Sequence, residues 1–152
     1  MGHLVVHRGE NIWDSTCEAI VVTVNCKGAM GLGIALECKK RYPAIYKRYR
    51  EQCQQGLWSP GKIAVFRAEP GRWIVLAATK DNWRYGSQQR WVEDCVQRIA
   101  FLHDRVNYGF RSIALPPLGC GHGGLDREWF AEMLERQYGP SAANWTSFEL
   151  YM

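Results

Sequence analysis

The sequence predicts an α/β fold, a three-layer α/β/α sandwich around a mixed central sheet. Three observations carry this. Short β-branched runs alternate with helical apolar stripes along the chain. The clearest run, Ala19-Ile20-Val21-Val22-Thr23-Val24, is continuous rather than alternating, as in a strand buried on both faces. A turn sequence, Ala68-Glu69-Pro70-Gly71, joins two neighbouring runs as a hairpin and so makes the sheet mixed. Two glycine-rich stretches each follow a strand and open a helical pattern, which places bare backbone N–H groups and positive helix ends at one edge of the sheet.

Leu4 to His7 is the opening strand and Ala19 to Val24 the buried one. From Met30 the pattern turns helical, with Ile34, Ala35, Cys38 and Tyr42 on one stripe and Glu37, Lys39 and Lys40 opposite. Pro43 interrupts that stripe, and Ile45, Tyr46, Tyr49 and Cys53 resume it up to Gly56, so two helical segments meet at an angle. Lys62 to Arg67 and Arg72 to Ala78 form the hairpin arms, with proline presetting φ in the turn and glycine taking its left-handed position. Ser87 is placed to cap a long helix whose stripe runs Trp91, Val92, Cys95, Val96, Ile99, Leu102 and Val106 before Gly109 ends it. Ser112 to Leu115 is a further strand, Arg127 to Tyr138 a helix, and Ser147 to Tyr151 the last strand. No repeat, low-complexity tract or linker divides the chain, so one domain over residues 1–152 is expected.

Hydrophobic residues at 47% and charged residues at 22% are ordinary for a soluble globular protein. No apolar run approaches the ~20 residues of a membrane span. Met1-Gly2-His3 leads straight into a strand-like run with no signal segment, so a cytoplasmic protein is expected. None of the six cysteines sits in a C-x-x-C spacing and several fall on apolar helix faces, which favours buried free thiols over disulfides or a zinc site. No metal ligand set is assigned. The net charge of +4 favours anionic ligands but is sparser than the dense basic face of a dedicated nucleic-acid module.

The first glycine loop has the spacing Gly28-x-x-Gly31-x-Gly33, which is neither the dinucleotide fingerprint nor the P-loop. It places glycine where a side chain would block a phosphate, with Asn25 ending the strand as a hydrogen-bonding group. A plain strand-to-helix turn is the alternative, since glycine also serves left-handed backbone. In the second loop Pro116-Pro117 stiffens the strand exit, and four of the six residues from 119 to 124 are glycine. Such a run loses more entropy on folding than any other composition, so ligand contact explains it better than structure does. Between the two loops a diphosphate could be clamped. His122 is either a base or phosphate donor there, or a solvated side chain.

On these residues the sequence resembles the macrodomain family of ADP-ribose-binding and ADP-ribose-hydrolysing modules. Asn25 to Lys40 is similar to the N-x-x-G-x-M-G-x-G-I-A motif of the branch that holds the DarG antitoxins and the terminal ADP-ribose protein glycohydrolases. Leu115 to Asp126 is similar to that branch's second loop, and Ala78-Thr79-Lys80-Asp81-Asn82-Trp83-Arg84 to its T-K-x-x-W-R segment. The resemblance implies a single macrodomain with adenine recognition near Asn11 and Ile12 and a ribose edge at Asn25. It implies diphosphate contact by the first loop, through Gly28, Met30, Gly31, Gly33 and Ile34. The second loop would contribute Pro117, Leu118, Gly119, Cys120, Gly121, His122, Gly123, Gly124 and Leu125. It further implies that Lys80 is the catalytic lysine and Asp126 the acidic residue that assists it. Val22 and Asn82 depart from the branch, which tends to have asparagine and histidine there.

The implied activity is an ADP-ribosyl glycohydrolase that removes ADP-ribose from modified DNA, by analogy a thymidine-type adduct. The alternatives are hydrolysis of ADP-ribosylated protein glutamate or O-acetyl-ADP-ribose, a reader that binds ADP-ribose without turnover, and a simple nucleic-acid binder. ADP-ribose is then ligand or product, and no cofactor is implied. The implied partners are ADP-ribosylated DNA or protein and an ADP-ribosylating toxin, with no membrane, and a monomer is expected.

Lysine is mostly ammonium near neutrality, with an unperturbed pKa near ~10.4, and must lose a proton to attack carbon. Burial or Arg84 would lower that pKa, while Asp81 or Asp126 would raise it, so the sequence leaves the sign open. In the mechanism the resemblance implies, the glycosidic bond opens with acid assistance and the Lys80 amine forms a transient imine-type adduct before water releases ADP-ribose. The alternative is a solvated strand-end cation. Trp83 and Arg84, with Tyr85, could stack on bases and bind phosphate beside the site, near Lys27 and Arg127, stacking being worth ~1–3 kcal/mol per base. Core packing is the alternative for Trp83. Asn144-Trp145-Thr146 is a formal glycosylation sequon, relevant only on a secretory route.

Overall fold

The computed structural model describes residues 4–103, 108–138 and 147–152. Its strands are β1 (Leu4–His7), β2 (Ala19–Val24), β3 (Ile63–Glu69), β4 (Arg72–Ala78), β5 (Ser112–Leu115) and β6 (Ser147–Tyr151). Its helices are α1 (Gly33–Arg41), α2 (Pro43–Gln54), α3 (Gln89–Ala100) and α4 (Arg127–Tyr138), with short 3-10 turns at Ile12–Asp14 and Phe101–His103. The six strands form one sheet in the order β1-β6-β5-β2-β4-β3. Only the β3–β4 hairpin pairs antiparallel, so the sheet is mixed as its turn sequence predicts.

The continuous apolar run of β2 is explained by two cores. Ala19 and Val21 face a layer built on α3 and α4, with Val92, Cys95, Ile99, Phe130 and Leu134. Ile20, Val22 and Val24 face a second layer built on α1 and α2, with Ala35, Cys38, Ile45 and Tyr49. A strand covered on both faces has no solvent side on which to place polar residues. Val22, the first departure from the branch pattern, is a fully buried member of the second core.

Four boundaries differ from the sequence reading. β3 runs from Ile63 to Glu69 rather than from Lys62 to Arg67, so Ala68 and Glu69 belong to the strand and Pro70 and Gly71 alone make the turn. α1 starts at Gly33 rather than Met30 because Met30 is buried beneath the loop, closing it instead of turning with the helix. Ser87 does not cap α3. Gln88 holds the N-cap position without a side-chain bond, while the Ser87 N–H donates to the Gly123 carbonyl at 2.9 Å and its buried Oγ has no partner. The α3 stripe passes into the 3-10 turn, where Leu102 is buried. Val106 and the sequon at Asn144 lie outside the described residues. Pro43 occupies the first turn of α2, and Tyr42 (φ −133°, ψ 69°) is both the end of α1 and the start of α2, which makes the expected angle.

Candidate functional site

All strands but β3 run parallel, so the C-terminal ends of β2, β4 and β5 meet at one edge of the sheet. The segments that follow them enclose an open cavity of about 810 Å³. This is where parallel sheets place their ligands, because the connections diverge there and helix N-termini point in.

The first loop is shaped by Asn25. Its Oδ1 accepts the Lys27 N–H at 2.9 Å, its Nδ2 donates to the Ala29 carbonyl at 2.9 Å, and the buried Tyr49 hydroxyl donates to its carbonyl at 2.6 Å. Gly28, at φ +84°, packs against Arg50 and Cys53 below the loop. The loop then feeds α1 without a cap, since Leu32 stands at the N-cap and has no acceptor. The first bond of the turn is the Leu36 N–H to the Leu32 carbonyl at 3.2 Å. Among the described residues the N–H groups from Gly31 to Ala35 have no protein acceptor, and all five residues line the cavity. Five such donors at a positive helix end make a cradle suited to an anion.

The second loop divides its glycines by role. A Cβ at Gly123 would lie 2.3 Å from the Gly119 carbonyl oxygen and 2.4 Å from Ser87 Oγ, and one at Gly119 would lie 2.9 Å from Val92. Those two glycines are demanded by packing. Gly121 has open space around it and no left-handed φ, yet it lines the cavity. Among the described residues the N–H groups of Gly121, His122 and Gly123 have no protein acceptor.

Lys80 follows β4 at the same cavity. The Cys26 N–H donates to the Asp81 carbonyl at 3.0 Å and the Thr79 N–H to the Val24 carbonyl at 3.1 Å, which fastens the lysine segment to the first loop. Burial lowers the Lys80 pKa below its ordinary value, and no charged neighbour contributes. The sign left open by the sequence is thus settled by desolvation. Among the described residues Lys80 has no ion pair.

The rim is apolar and basic. Trp83 (55% exposed), Tyr85 (69%) and Leu32 (63%) stand in solvent around the opening, so the core-packing alternative for Trp83 does not hold. The Arg84 guanidinium lies over the Trp83 ring, 5.1 Å from its centroid. Asn82, the second departure from the branch, shapes this turn by accepting the Arg84 N–H at 3.0 Å on its side chain and the Tyr85 N–H at 3.1 Å on its carbonyl.

Of the residues singled out in the sequence, the cavity brings together Asn25, Gly31, Gly33, Ile34, Lys80, Trp83, Arg84, Pro117, Gly119, Gly121, His122 and Gly123. Gly28, Met30, Leu118, Cys120, Gly124 and Leu125 support the loops without lining it. The Cys120 thiol is pushed up to about 11 by burial, which makes it a poor nucleophile. Asn11 and Ile12 are also outside the lining, with the Asn11 side chain accepting the Trp13 N–H at 3.0 Å. Asp126 is exposed, accepts the Glu128 N–H at 3.3 Å at the start of α4, and does not line the cavity, whereas its neighbour Arg127 does. Val24, Thr79 and Pro116 were not singled out as site residues. They are the positions where three strands run out, a signal readable only once strand order is known.

A sheet with this order and these loops matches known proteins closely. The Macro domain family model covers residues 21–134. The chain belongs to the Macro domain family. Among curated relatives, this macrodomain is 41% identical over 118 residues to the DNA ADP-ribosyl glycohydrolase of Thermus aquaticus, covering 76% of this chain and 32% of the relative. It is 34% identical over 128 residues to the protein of the same name from Mycobacterium tuberculosis, covering 82% of this chain and 36% of the relative. The chain therefore spans about a third of the length of the curated relatives it matches. The macrodomain of Mycobacterium tuberculosis DarG superposes with a TM-score of 0.89 at 30% identity, covering 99% of this chain and 98% of that one. That of Thermus aquaticus DarG gives 0.87 at 33% identity, with 100% and 99% covered. Among the described residues no helix is long and apolar enough to cross a membrane.

Proposed function

We propose that this macrodomain holds ADP-ribose between its two glycine loops and hydrolyses it from ADP-ribosylated DNA, a thymidine-type adduct, with Lys80 as the nucleophile. The observation that carries this reading is the half-buried Lys80, its pKa lowered and its ammonium without an ion pair, on the same cavity wall system as both sets of open amides. Names of relatives support the substrate class, since the two curated relatives described above are named DNA ADP-ribosyl glycohydrolase. Trp83 and Arg84 are assigned to the nucleotide beside the adduct.

In the reaction, amides of both loops hold the diphosphate and so fix the distal ribose in position, which supplies proximity. The neutral Lys80 amine adds to the anomeric carbon. The bond from that carbon to the base breaks, its electron pair leaving on the base, which takes up a proton. The amine loses a proton and the sugar ring opens as carbon and nitrogen form the double bond of the imine. Water adds to that carbon, the amine leaves, and the products are ADP-ribose and unmodified DNA, with one water consumed. A lowered lysine pKa raises the fraction of amine available for the first step.

A relative from Thermosipho africanus, 30% identical over 133 residues, is named a DNA ADP-ribosyl transferase-DNA ADP-ribosyl glycohydrolase fusion protein. It supports an ADP-ribosylating toxin as the partner whose product this macrodomain removes. The test compares release of ADP-ribose from ADP-ribosylated DNA, ADP-ribosylated protein glutamate and O-acetyl-ADP-ribose by wild type and Lys80→Ala. DNA turnover that falls roughly 10²- to 10⁴-fold in the variant, with calorimetric ADP-ribose binding retained, is expected. Turnover of the protein ester alone, or binding with no turnover of any substrate, would overturn the reading.

A further inference from the structure

The net charge of this protein is concentrated in one place. Residues 27–51 hold seven lysines and arginines against two glutamates, so this stretch carries an excess of +5 while the whole chain carries +4. The stretch is the first loop with α1 and α2, and α1 itself runs from the cavity at Gly33 to a basic last turn at Lys39, Lys40 and Arg41.

Part of this charge forms a connected track. The Lys39 ammonium sits over the Tyr46 ring, 4.4 Å from its centroid, which bridges α1 to α2. The Tyr46 hydroxyl accepts from the Arg50 guanidinium at 3.5 Å. Arg50 in turn packs its Cγ against Gly28, within 3.4 Å of where a Cβ would stand, and Gly28 is next to the exposed Lys27. Lys39, Arg50 and Lys27 are all exposed, and among the described residues none of them has an ion pair, whereas Arg41 is paired with Glu37 at 2.9 Å. Of the two glutamates in the stretch, only Glu51 is left to oppose the track.

We propose that Lys39, Arg50 and Lys27, strung around Tyr46, bind the phosphate backbone of single-stranded DNA on the α1–α2 flank of the cavity and lead that strand to the first glycine loop. The occupant is a phosphate backbone rather than an acidic protein because no large apolar side chain is exposed on α1 or α2. Protein interfaces are centred on buried aromatic and apolar anchors and are depleted in lysine. A track of exposed cations without such an anchor suits counterion release from a polyanion. The strand is single because chemistry on a base requires it to leave the duplex, and the solvent-exposed Trp83 and Tyr85 rings offer stacking faces at the same opening. The inference rests on the nucleic-acid reading of the site but extends it to a surface outside the cavity.

The test is anisotropy of an unmodified single-stranded oligonucleotide with the intact chain, titrated at several salt concentrations. For single strands the slope of log K against log salt is about −0.7 per phosphate neutralised, so three contacts give a slope near −2. Lys27→Gln/Lys39→Gln/Arg50→Gln should flatten that slope and weaken binding by about a hundredfold at 0.1 M salt. Glutamine keeps the methylenes that pack on Gly28, and unchanged calorimetric ADP-ribose binding reports an intact fold. The charge-conserving variant Lys27→Arg/Lys39→Arg/Arg50→Lys should retain the slope. Wild-type affinity and slope in the glutamine variant would overturn the proposal, as would equal competition by polyglutamate at matched charge. Failure of the catalytic reading shows separately, as absence of ADP-ribose release by a protein that still binds the oligonucleotide through this track.

Discussion

The division of the second loop into packing glycines and a ligand-facing glycine is tested by paired alanine substitutions. At Gly123 the new methyl carbon would sit 2.3 Å from the Gly119 carbonyl oxygen and 2.4 Å from Ser87 Oγ, distances more than half an ångström inside contact. One neighbour is backbone, and the other belongs to a buried side chain tied through its N–H to Gly123 itself, so neither can yield alone. Overpacking of this kind costs about 2–3 kcal/mol, and in a chain of this length that lowers Tm by roughly 4–12 °C. At Gly121 nothing lies within 4 Å and φ is not left-handed, so alanine should leave stability within about 1 kcal/mol of wild type, or raise it, and Tm with it, by reducing the freedom of the unfolded chain. Its methyl would nevertheless stand in the cavity and separate a phosphate oxygen from the local amides. Losing one hydrogen bond to a charged group is worth about 1.5–3 kcal/mol, hence roughly a 10- to 150-fold weaker ADP-ribose complex. Differential scanning fluorimetry and isothermal calorimetry on both variants read the two quantities separately. The reasoning is refuted if Gly121→Ala binds ADP-ribose as wild type does, or if Gly123→Ala melts at the wild-type temperature.

Three further outcomes follow from named groups. Because burial lowers the Lys80 pKa and the proposed reaction uses its neutral amine, turnover should rise with pH and level off below the ordinary lysine value of about 10.4; Lys80→Met should melt no lower than wild type near neutrality, since the desolvation penalty on the half-buried cation is present below its folded pKa and disappears with the charge. Tyr49→Phe leaves the Asn25 carbonyl without its 2.6 Å donor, and should cost about 1–3 kcal/mol in denaturant unfolding together with weaker ADP-ribose binding through a loosened first loop. His7 is held by Glu10 at 2.7 Å and Glu149 at 2.8 Å, and its pKa is raised by hydrogen bonds to Glu10 first and Glu149 second. Its contribution to stability is therefore complete below about pH 6.5 and is lost as pH rises through the higher folded value, a slope in Tm against pH that His7→Gln should remove.

The layers were legible from the chain because hydrophobic period and turn chemistry are local. Ala19 to Val24 announces its two covered faces by lacking any polar alternation, and Pro70-Gly71 announces the antiparallel pair. Start points of helices were less legible, since Met30 has the composition of a helical residue and is withdrawn from the helix only by tertiary burial. Ser87 is the same case: its hydroxyl is a good cap in isolation, but contact with Gly123 directs it elsewhere. In the site, glycine spacing pointed to Gly31, Gly33, Gly121 and Gly123, whereas Thr79 and Val24 carry no local mark of a lining residue. Nor could spacing divide the loop glycines, because the crowding at Gly119 and Gly123 combines the fold of the loop on itself, through the Gly119 carbonyl and Leu125, with Ser87 and Val92 from more than two dozen positions away. The sign of the Lys80 shift belongs to the same class, being set by burial in the folded chain rather than by a charged neighbour.

The bare start of α1 has a consequence for the durability of the protein without ligand. Leu32 offers nothing to the amides it precedes, and no acidic residue stands in the first turn, so the helix is finished only when an anion from outside takes the place that serine or aspartate fills elsewhere. An occupied molecule is then more resistant to heat and proteolysis than an idle one, by RT ln(1 + [L]/Kd) at a given ligand concentration. Bound anion would thus lengthen the life of the molecule that holds it, and a protein without ligand would persist in its least durable form.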